Sequence, residues 1–144
     1  MNEIENTQPE FIYHLVLKKE FFSQIRDNTY LPLRFNEDGF IHCTAGEDMT
    51  VLVANDYFSK AVDLLVLKIN VKRILTKVLF EKPFPIQGGG ISHLKSDVLF
   101  PHIYGFLNLD SIEGISIMTK INYVFHFPKS FKTQAQFIEG NRWT

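Results

Sequence analysis

The sequence predicts a single α+β domain in which two helices cover a mixed β-sheet. With 144 residues and 45% hydrophobic side chains, the chain is long enough to bury one core. Strand-like and helix-like patterns follow one another along the chain instead of falling into separate blocks. Fourteen Phe and five Tyr make the sequence rich in side chains that favour strands. These three observations define the predicted fold class.

The first strand is predicted over residues 11–17, after a polar leader of residues 1–10. The pattern then changes to apolar residues spaced three and four apart, which is typical of an amphipathic helix. These apolar residues are Phe21, Phe22 and Ile25. Residues 27–28 are predicted to end this helix, and residues 29–36 are predicted to form an extended connector.

A second strand is predicted over residues 39–44, directly after turn-forming residues 37–38. The alternation of side chains along a strand separates two faces. One face holds Phe40, His42 and Thr44, and the other holds Ile41 and Cys43. Thr44 with Glu47 three residues later has the pattern of a capping box, which predicts a second helix that runs to about Ser59.

Residues 63–69 form a nearly continuous apolar run, which predicts a strand buried on both faces at the centre of the sheet. Residues 75–81 alternate well enough to predict another strand. Residues 82–97 contain two prolines and three consecutive glycines, and are predicted to be a long loop. Further strands are predicted over residues 100–104, 111–118 and 122–127. The segment after residue 128 is polar and has no clear pattern.

The composition argues against several classes of partner. Fifteen basic and sixteen acidic residues leave a net charge of -1, so no strong field attracts nucleic acid or an anionic membrane. No apolar stretch approaches the ~20 residues of a membrane span, and the acidic N-terminus is unlike a signal peptide. The single cysteine excludes an internal disulfide. We therefore expect a cytoplasmic protein with a small-molecule partner, and the oligomeric state stays open.

Three predicted strands each contain a histidine among aromatic and β-branched residues: His14, His42 and His102. Taken singly, each is equally well explained as a core histidine whose ring nitrogens bond to the backbone. Burying an imidazole without a partner costs ~1–3 kcal/mol, so three such residues in one small domain point to a shared pocket. We predict that this pocket is the active or binding site.

Zinc is the obvious metal for three histidines, but the spacing argues against it. The sequence has no closely spaced pair among these histidines, and each ligand would come from a different strand. No metal is therefore expected. Cys43 lies next to His42 and so points to the opposite strand face, where the imidazole cannot serve as its base. A buried, inert thiol is the preferred interpretation.

Glu81 ends a predicted strand, at a position where its carboxylate can face the same pocket. It is a candidate partner for an imidazole or a sugar hydroxyl, although solvated glutamates at strand ends are common. Phe100 and Tyr104 offer flat surfaces for stacking a ligand, although aromatic stripes are more often core. Thr44, on the strand face of His42, is a further candidate for ligand contact.

Four segments of the sequence together resemble the signature segments of a family of mostly bacterial proteins of unknown function, DUF952. These segments are Ile12-Tyr13-His14, Asp38 to Thr44, Asp63 to Leu67 and Leu99 to Gly105. Their order and approximate spacing agree over residues 11–118. The resemblance therefore places one domain at residues 11–127 and makes residues 128–144 a C-terminal extension.

That family is grouped by fold similarity with the ADP-ribosyltransferase-like proteins, which bind NAD in a cleft of a split, mixed sheet. The resemblance implies that His14 holds the ribose on the nicotinamide side and that Glu81 is the catalytic glutamate. It implies that Phe100 or Tyr104 supplies a stacking surface. The implied reaction is cleavage of the nicotinamide–ribose bond through an oxocarbenium-like state, which a carboxylate stabilises.

The first functional hypothesis is an enzyme that acts on NAD, ADP-ribose or a related nucleotide. Its predicted catalytic residues are His14, His42, Glu81 and His102, and its predicted cofactor-binding residues are His14, Thr44, Phe100 and Tyr104. The alternative is a non-catalytic module that binds a small ligand or a protein side chain in the same cleft. A metal-dependent hydrolase is a third hypothesis.

Overall fold

The computed structural model describes residues 8–83 and 98–141, in which strands and helices alternate along the chain. The first elements are β1 Phe11–Leu17, α1 Lys18–Ser23, β2 Ile25–Arg26, β3 Thr29–Tyr30, α2 Phe35–Asp38, β4 Ile41–His42, α3 Glu47–Tyr57 and β5 Leu64–Asn70. The remaining elements are β6 Lys77–Glu81, β7 Phe100–Tyr104, β8 Leu107–Asn108, β9 Ile112–Ile117, β10 Thr119–Ile121, β11 Val124–His126 and α4 Gln134–Asn141. The α+β class is confirmed.

The strands form three small sheets, in the orders β1-β5-β9, β4-β7-β6 and β2-β3-β8, together with the hairpin β10-β11. Every strand pairing within the described residues is antiparallel, so the prediction of a mixed sheet was wrong. A helix between two strands suggests a parallel crossover when both strands share a sheet. Here α1 and α3 each connect strands of different sheets, and no parallel pairing results.

The prediction of a central strand buried on both faces is confirmed by β5. Its side chains alternate between two clusters of the core. One cluster contains Leu65, Leu67 and Ile69 together with Phe137 of α4, and the other contains Leu64 and Val66 together with Ala54 of α3. The helices α3 and α4 therefore cover opposite faces of the sheet β1-β5-β9.

The described residues contain four α-helices where the sequence predicted two. The helix α4 was missed because Phe137 and Ile138 are its only large apolar side chains, too few for a visible periodicity. The predicted connector over residues 29–36 was also wrong, since it contains β3 and α2. Asp27 and Asn28 adopt positive φ angles of 52° and 63° and form the turn of the β2–β3 hairpin.

The predicted capping box at Thr44 was wrong. The helix α3 begins at Glu47 after Gly46, whose φ is 95°, and no side chain caps it. The backbone of Thr44 pairs with that of Tyr13, and its hydroxyl lies 2.6 Å from Oγ1 of Thr50. Thr44 therefore still belongs to the sheet, which the local pattern of Thr and Glu does not reveal.

The strands predicted over residues 100–104 and 111–118 are confirmed as β7 and β9. The strand predicted over residues 122–127 is shorter, since Asn122 and Tyr123 have positive φ angles and form the β10–β11 turn. Most of the loop predicted over residues 82–97 lies outside the described residues. Among the helices that are described, none is both long and apolar enough to cross a membrane.

Replacing Gly105 by alanine is expected to lower the free energy of unfolding by about 2 kcal/mol. Gly105 ends the β7 segment with a φ of 151°, and an added Cβ would lie 2.7 Å from Cγ2 of Thr76. Either the backbone or the Thr76 side chain must shift, and urea denaturation measures the cost. Gly140→Ala is the control, because a Cβ there meets nothing within 4 Å. An equal effect at both positions would contradict the packing argument.

Candidate functional site

A cleft opens where β1 and β4 separate. The two strands are joined by backbone hydrogen bonds between Tyr13 and Thr44, of 2.9 Å and 2.7 Å, and diverge beyond them. The cleft has a volume of about 540 Å³, within the range of roughly 300–1,000 Å³ of small-molecule sites. Five successive residues of β1, 13–17, line it. Because one strand face would present only alternate residues, the cleft is bordered by the edge of β1.

The sheet β4-β7-β6 forms the other wall. One face packs into the core through Ile41, Cys43 and Ile103, all buried. On the opposite face, the register places His42 directly across from His102 on the neighbouring strand. The predicted alternation along the second strand is thus confirmed, although the strand predicted over residues 39–44 is shorter and spans Ile41–His42, since Gly39 ends α2 with a positive φ. Burial also raises the pKa of the Cys43 thiol, as the interpretation of an inert cysteine requires.

His102 is almost completely buried, yet its ring lines the cleft. Nδ1 lies 2.8 Å from Oε1 of Glu81, while Nε2 makes no hydrogen bond within the described part of the chain. The ring of Phe40 stacks on the imidazole, with centroids 3.9 Å apart and planes inclined by 22°. The stacking and the carboxylate together fix the orientation of the ring, and the cleft is open to Nε2.

In the pairing of β6 with β7, His102 lies opposite Leu79. Glu81, two residues further along β6, is therefore a diagonal neighbour of His102 on the same face. Its Oε1 accepts hydrogen bonds from His102 Nδ1 and from the Tyr104 hydroxyl. The bonds from Tyr104 and His102 lower the pKa of Glu81, and the same carboxylate raises the pKa of Tyr104. An ionised Glu81 can only accept hydrogen bonds, so Nδ1 of His102 carries the hydrogen and donates it. In the neutral ring, Nε2 then has a free lone pair.

A second imidazole and carboxylate lie on the same wall. Nε2 of His42 is 3.0 Å from Oδ2 of Asp38, the last residue of α2. Burial lowers the pKa of His42, and the bond to Asp38 opposes this shift. The rings of His42 and His102 lie with centroids 5.8 Å apart. The cleft therefore brings together two imidazoles that are each paired with a carboxylate.

His14 lies beneath this wall, with 6% of its surface exposed. Nδ1 is 2.6 Å from the carbonyl oxygen of His42, and Nε2 is 2.8 Å from the hydroxyl of Tyr30. Since a carbonyl only accepts, Nδ1 donates to it and Tyr30 donates to Nε2. Burial lowers the pKa of His14 to about 4 and keeps the ring neutral. Both ring nitrogens are thus occupied by protein groups.

The predicted ligand-contact residues are distributed differently around the site. Phe100 and Thr44 line the cleft, and both are almost fully buried. The Thr44 hydroxyl is engaged with Thr50. Tyr104 is not among the residues that line the cleft; 37% of its surface is exposed, and its ring is 5.4 Å from that of Phe40. The structure therefore places His14, His42 and His102 in the lining of the cleft, with both ring nitrogens of His14 occupied, and places Glu81 outside the lining as the partner of His102.

Sequence reasoning missed Asp38 and Tyr30. Asp38 was assigned to a turn; it ends α2 and His42 lies in β4, so the helical i,i+4 rule does not predict their contact. Tyr30 has no local signal, because it reaches His14 from β3 in another sheet. Within residues 8–83 and 98–141, no three His, Cys, Asp or Glu side chains group in a way that can hold a metal ion.

The fold and the site define a small α+β protein whose cleft lies between two sheets and exposes one nitrogen of a buried, carboxylate-bound imidazole. The chain belongs to the family described as protein of unknown function (DUF952), whose profile matches residues 16–115. This confirms the family resemblance inferred from the sequence.

Two solved structures are similar to this chain in fold. They are crystal structures of Protein CC0527 from Caulobacter crescentus and of its double mutant. In each case the TM-score is 0.65 at 17% sequence identity, over 81% of this chain and 93% of the other chain. At this identity the likeness concerns the fold alone. None of the curated proteins matches the sequence.

Proposed function

We propose that the protein is an enzyme that cleaves the bond between ribose and the base of NAD or a related N-ribosyl compound, with His102 as general base. One observation supports this above all. The buried imidazole of His102 presents an unpartnered Nε2 to a ligand-sized cleft, and Glu81 holds its other nitrogen. A carboxylate behind an imidazole is the usual arrangement for proton transfer.

In the proposed reaction, Nε2 of His102 removes a proton from water as the water oxygen bonds to C1′ of the ribose. The bond from C1′ to the base breaks, and its electron pair goes to the base nitrogen. Glu81, which is not among the residues that line the cleft, stabilises the imidazolium through Oε1. The role that the resemblance implies for Glu81, stabilising an oxocarbenium-like state, stays a prediction.

The edge of β1 supports nicotinamide as the base. The N–H and C=O groups of Tyr13 both point to Thr44, across the gap between the strands. Backbone N–H and C=O groups of every second residue point to the same side of a strand. The N–H and C=O of Leu15 therefore point in the same direction as those of Tyr13, into the cleft. A carboxamide both donates and accepts hydrogen bonds, so it matches one N–H and one C=O of a strand edge. We therefore keep, as part of this proposal, the similarity to ADP-ribosyltransferase-like proteins that the sequence suggested.

His14 has a positioning role in the proposed enzyme. Its Nδ1 bonds to the carbonyl of His42, so it sets the place of the β4 backbone relative to β1 at the point where the cleft opens. The role that the resemblance implies, contact with the ribose, stays a prediction. It requires His14 to exchange its bond to the Tyr30 hydroxyl for one to the ligand.

A binding module without catalysis is the second candidate, and the occupied nitrogens of His14 favour it. In such a protein, Glu81 would serve only to fix the orientation of His102 in the cleft wall. The two candidates differ in whether turnover depends on Glu81 more strongly than binding does.

Replacing Glu81 by glutamine is expected to lower kcat for nicotinamide release about a hundredfold and to change the dissociation constant for NAD less than threefold. The amide keeps the shape of the side chain but no longer stabilises the imidazolium of His102. Nicotinamide release followed by chromatography gives kcat, and calorimetry gives the dissociation constant. Glu113→Gln, at an exposed position of β9, is the matched control. Ligand binding without any turnover in the unmodified protein would support the binding module instead.

A further inference from the structure

The charged side chains around the cleft are mostly acidic. Among the described residues that line it, Glu20 and Asp38 are acidic and Arg34 is the one Arg or Lys. The guanidinium of Arg34 lies 3.0 Å from Glu37 and 3.6 Å from Asp38, with 70% of its side chain exposed. Glu81 holds His102 from outside this lining, and the charge of nearby Lys77 acts on it, so neither residue is counted here. The described wall thus has a net negative charge, and its one guanidinium is already paired.

This distribution bears on which part of a dinucleotide the cleft accepts. A pyrophosphate brings two negative charges, and the phosphate sites of proteins use unengaged Arg or Lys side chains or helix N-termini. A pyridinium ring brings one positive charge and a flat surface. Carboxylates attract that charge, and aromatic rings such as Phe40 and Phe100 in the cleft wall favour a cation near their faces.

His102 indicates where the ligand must react. Its side chain is buried to more than nine-tenths and lines the cleft, and Nε2 has no hydrogen-bond partner in the described part of the chain. The reacting atom of a ligand must come within hydrogen-bond reach of this nitrogen, directly or through one water. The pairing of β4 with β7 sets His42 and its partner Asp38 beside His102, and Asp38 is one of the carboxylates that line the cleft.

We propose that the cleft selects a phosphate-free N-ribosyl cation, such as the riboside of nicotinamide, over pyrophosphate-bearing NAD. This inference rests on the proposed function and names its substrate class. The carboxylates around the site stabilise the positive ring in the bound state. Water attacks C1′ and passes a proton to Nε2 of His102, while the electron pair of the breaking bond neutralises the ring nitrogen. The products are ribose, the neutral base and one proton, and no further reactant is needed.

The test compares dissociation constants by calorimetry at low salt for nicotinamide riboside and for NAD. The riboside is expected to bind at least tenfold more tightly, and added salt is expected to weaken it, since screening reduces the attraction. The reduced riboside has nearly the same shape without the positive charge, and about tenfold weaker binding is expected for it. Equal affinity of the oxidised and reduced ribosides would overturn the role of charge.

Asp38→Asn is expected to weaken riboside binding about fivefold, because it removes a carboxylate from the lining of the cleft. Glu113→Gln removes the same charge from an exposed side chain of β9 outside the lining and is expected to change the affinity less than twofold. If NAD binds more tightly than the riboside and is turned over, this inference fails while the proposed function stands. If neither compound binds, both fail.

Discussion

Replacing His102 by glutamine is expected to lower kcat for release of the base about a thousandfold, with little change in ligand affinity. Glutamine can still donate to Glu81, but its amide cannot accept a proton in the transition state. General base catalysis contributes ~10²–10⁴ to a rate, and His102 is the residue whose open nitrogen faces the cleft. Single-turnover measurements with the riboside and with NAD separate the chemical step from binding.

The control for this substitution is His126→Gln on β11, where the histidine is exposed and lies outside the cleft lining. It is expected to leave kcat within twofold of the unmodified protein. His42→Gln provides a further comparison, because His42 is the other imidazole on this wall that is paired with a carboxylate. If His42→Gln abolishes turnover and His102→Gln does not, the general base is His42 on β4, and its assignment to His102 on β7 is wrong.

The free energy of unfolding is expected to fall by about 3 kcal/mol through His14 as the pH decreases from 6.5 to 4. Burial lowers the pKa of His14 from 6.5 to about 4 in the folded protein. The unfolded chain therefore binds a proton over this range that the folded chain does not bind. Stability from this group is complete above pH 6.5, decreases as the pH falls, and reaches its minimum near pH 4.

Urea denaturation at intervals of half a pH unit measures this effect. The His14→Gln protein lacks the titrating group. Its free energy of unfolding is therefore expected to fall by about 3 kcal/mol less than that of the unmodified protein between pH 6.5 and 4. Groups such as Glu81 and His42 titrate in both proteins and cancel in the difference. His126→Gln, at an exposed position, is expected to keep the full dependence. Parallel curves for the unmodified and His14→Gln proteins would show that folding does not lower the pKa of His14 and would contradict this prediction.

Local sequence patterns were sufficient wherever the residues that decide a structure are neighbours in the chain. The apolar run of β5 predicts a strand buried on both faces, because no other element hides so many consecutive side chains in so few residues. The alternation in β4 separates His42 from Cys43 by covalent geometry alone. The strings around His42 and His102 are specific enough to predict the family, which the profile match confirms.

The same patterns failed where a distant segment competes for a residue. Thr44 with Glu47 satisfies the local rule for a capping box, but pairing with Tyr13 keeps Thr44 in the sheet. Asp27 and Asn28 were assigned to the end of a helix, whereas β3 pairs on both sides and draws them into a hairpin turn. In both cases long-range hydrogen bonds outweigh a local preference worth about 1 kcal/mol.

By itself, the sequence determined that three histidines lie on stiff strands and that two of them share a sheet face with aromatic residues, because strand alternation needs only local geometry. The tertiary structure alone decided their separate roles. Register sets His102 beside Glu81 and across from His42, while Tyr30 arrives from another sheet to occupy His14. Which imidazole nitrogen has no protein partner depends on residues that are distant in the chain. The periodicity of side chains within one strand does not predict which other strand pairs with it or in which register.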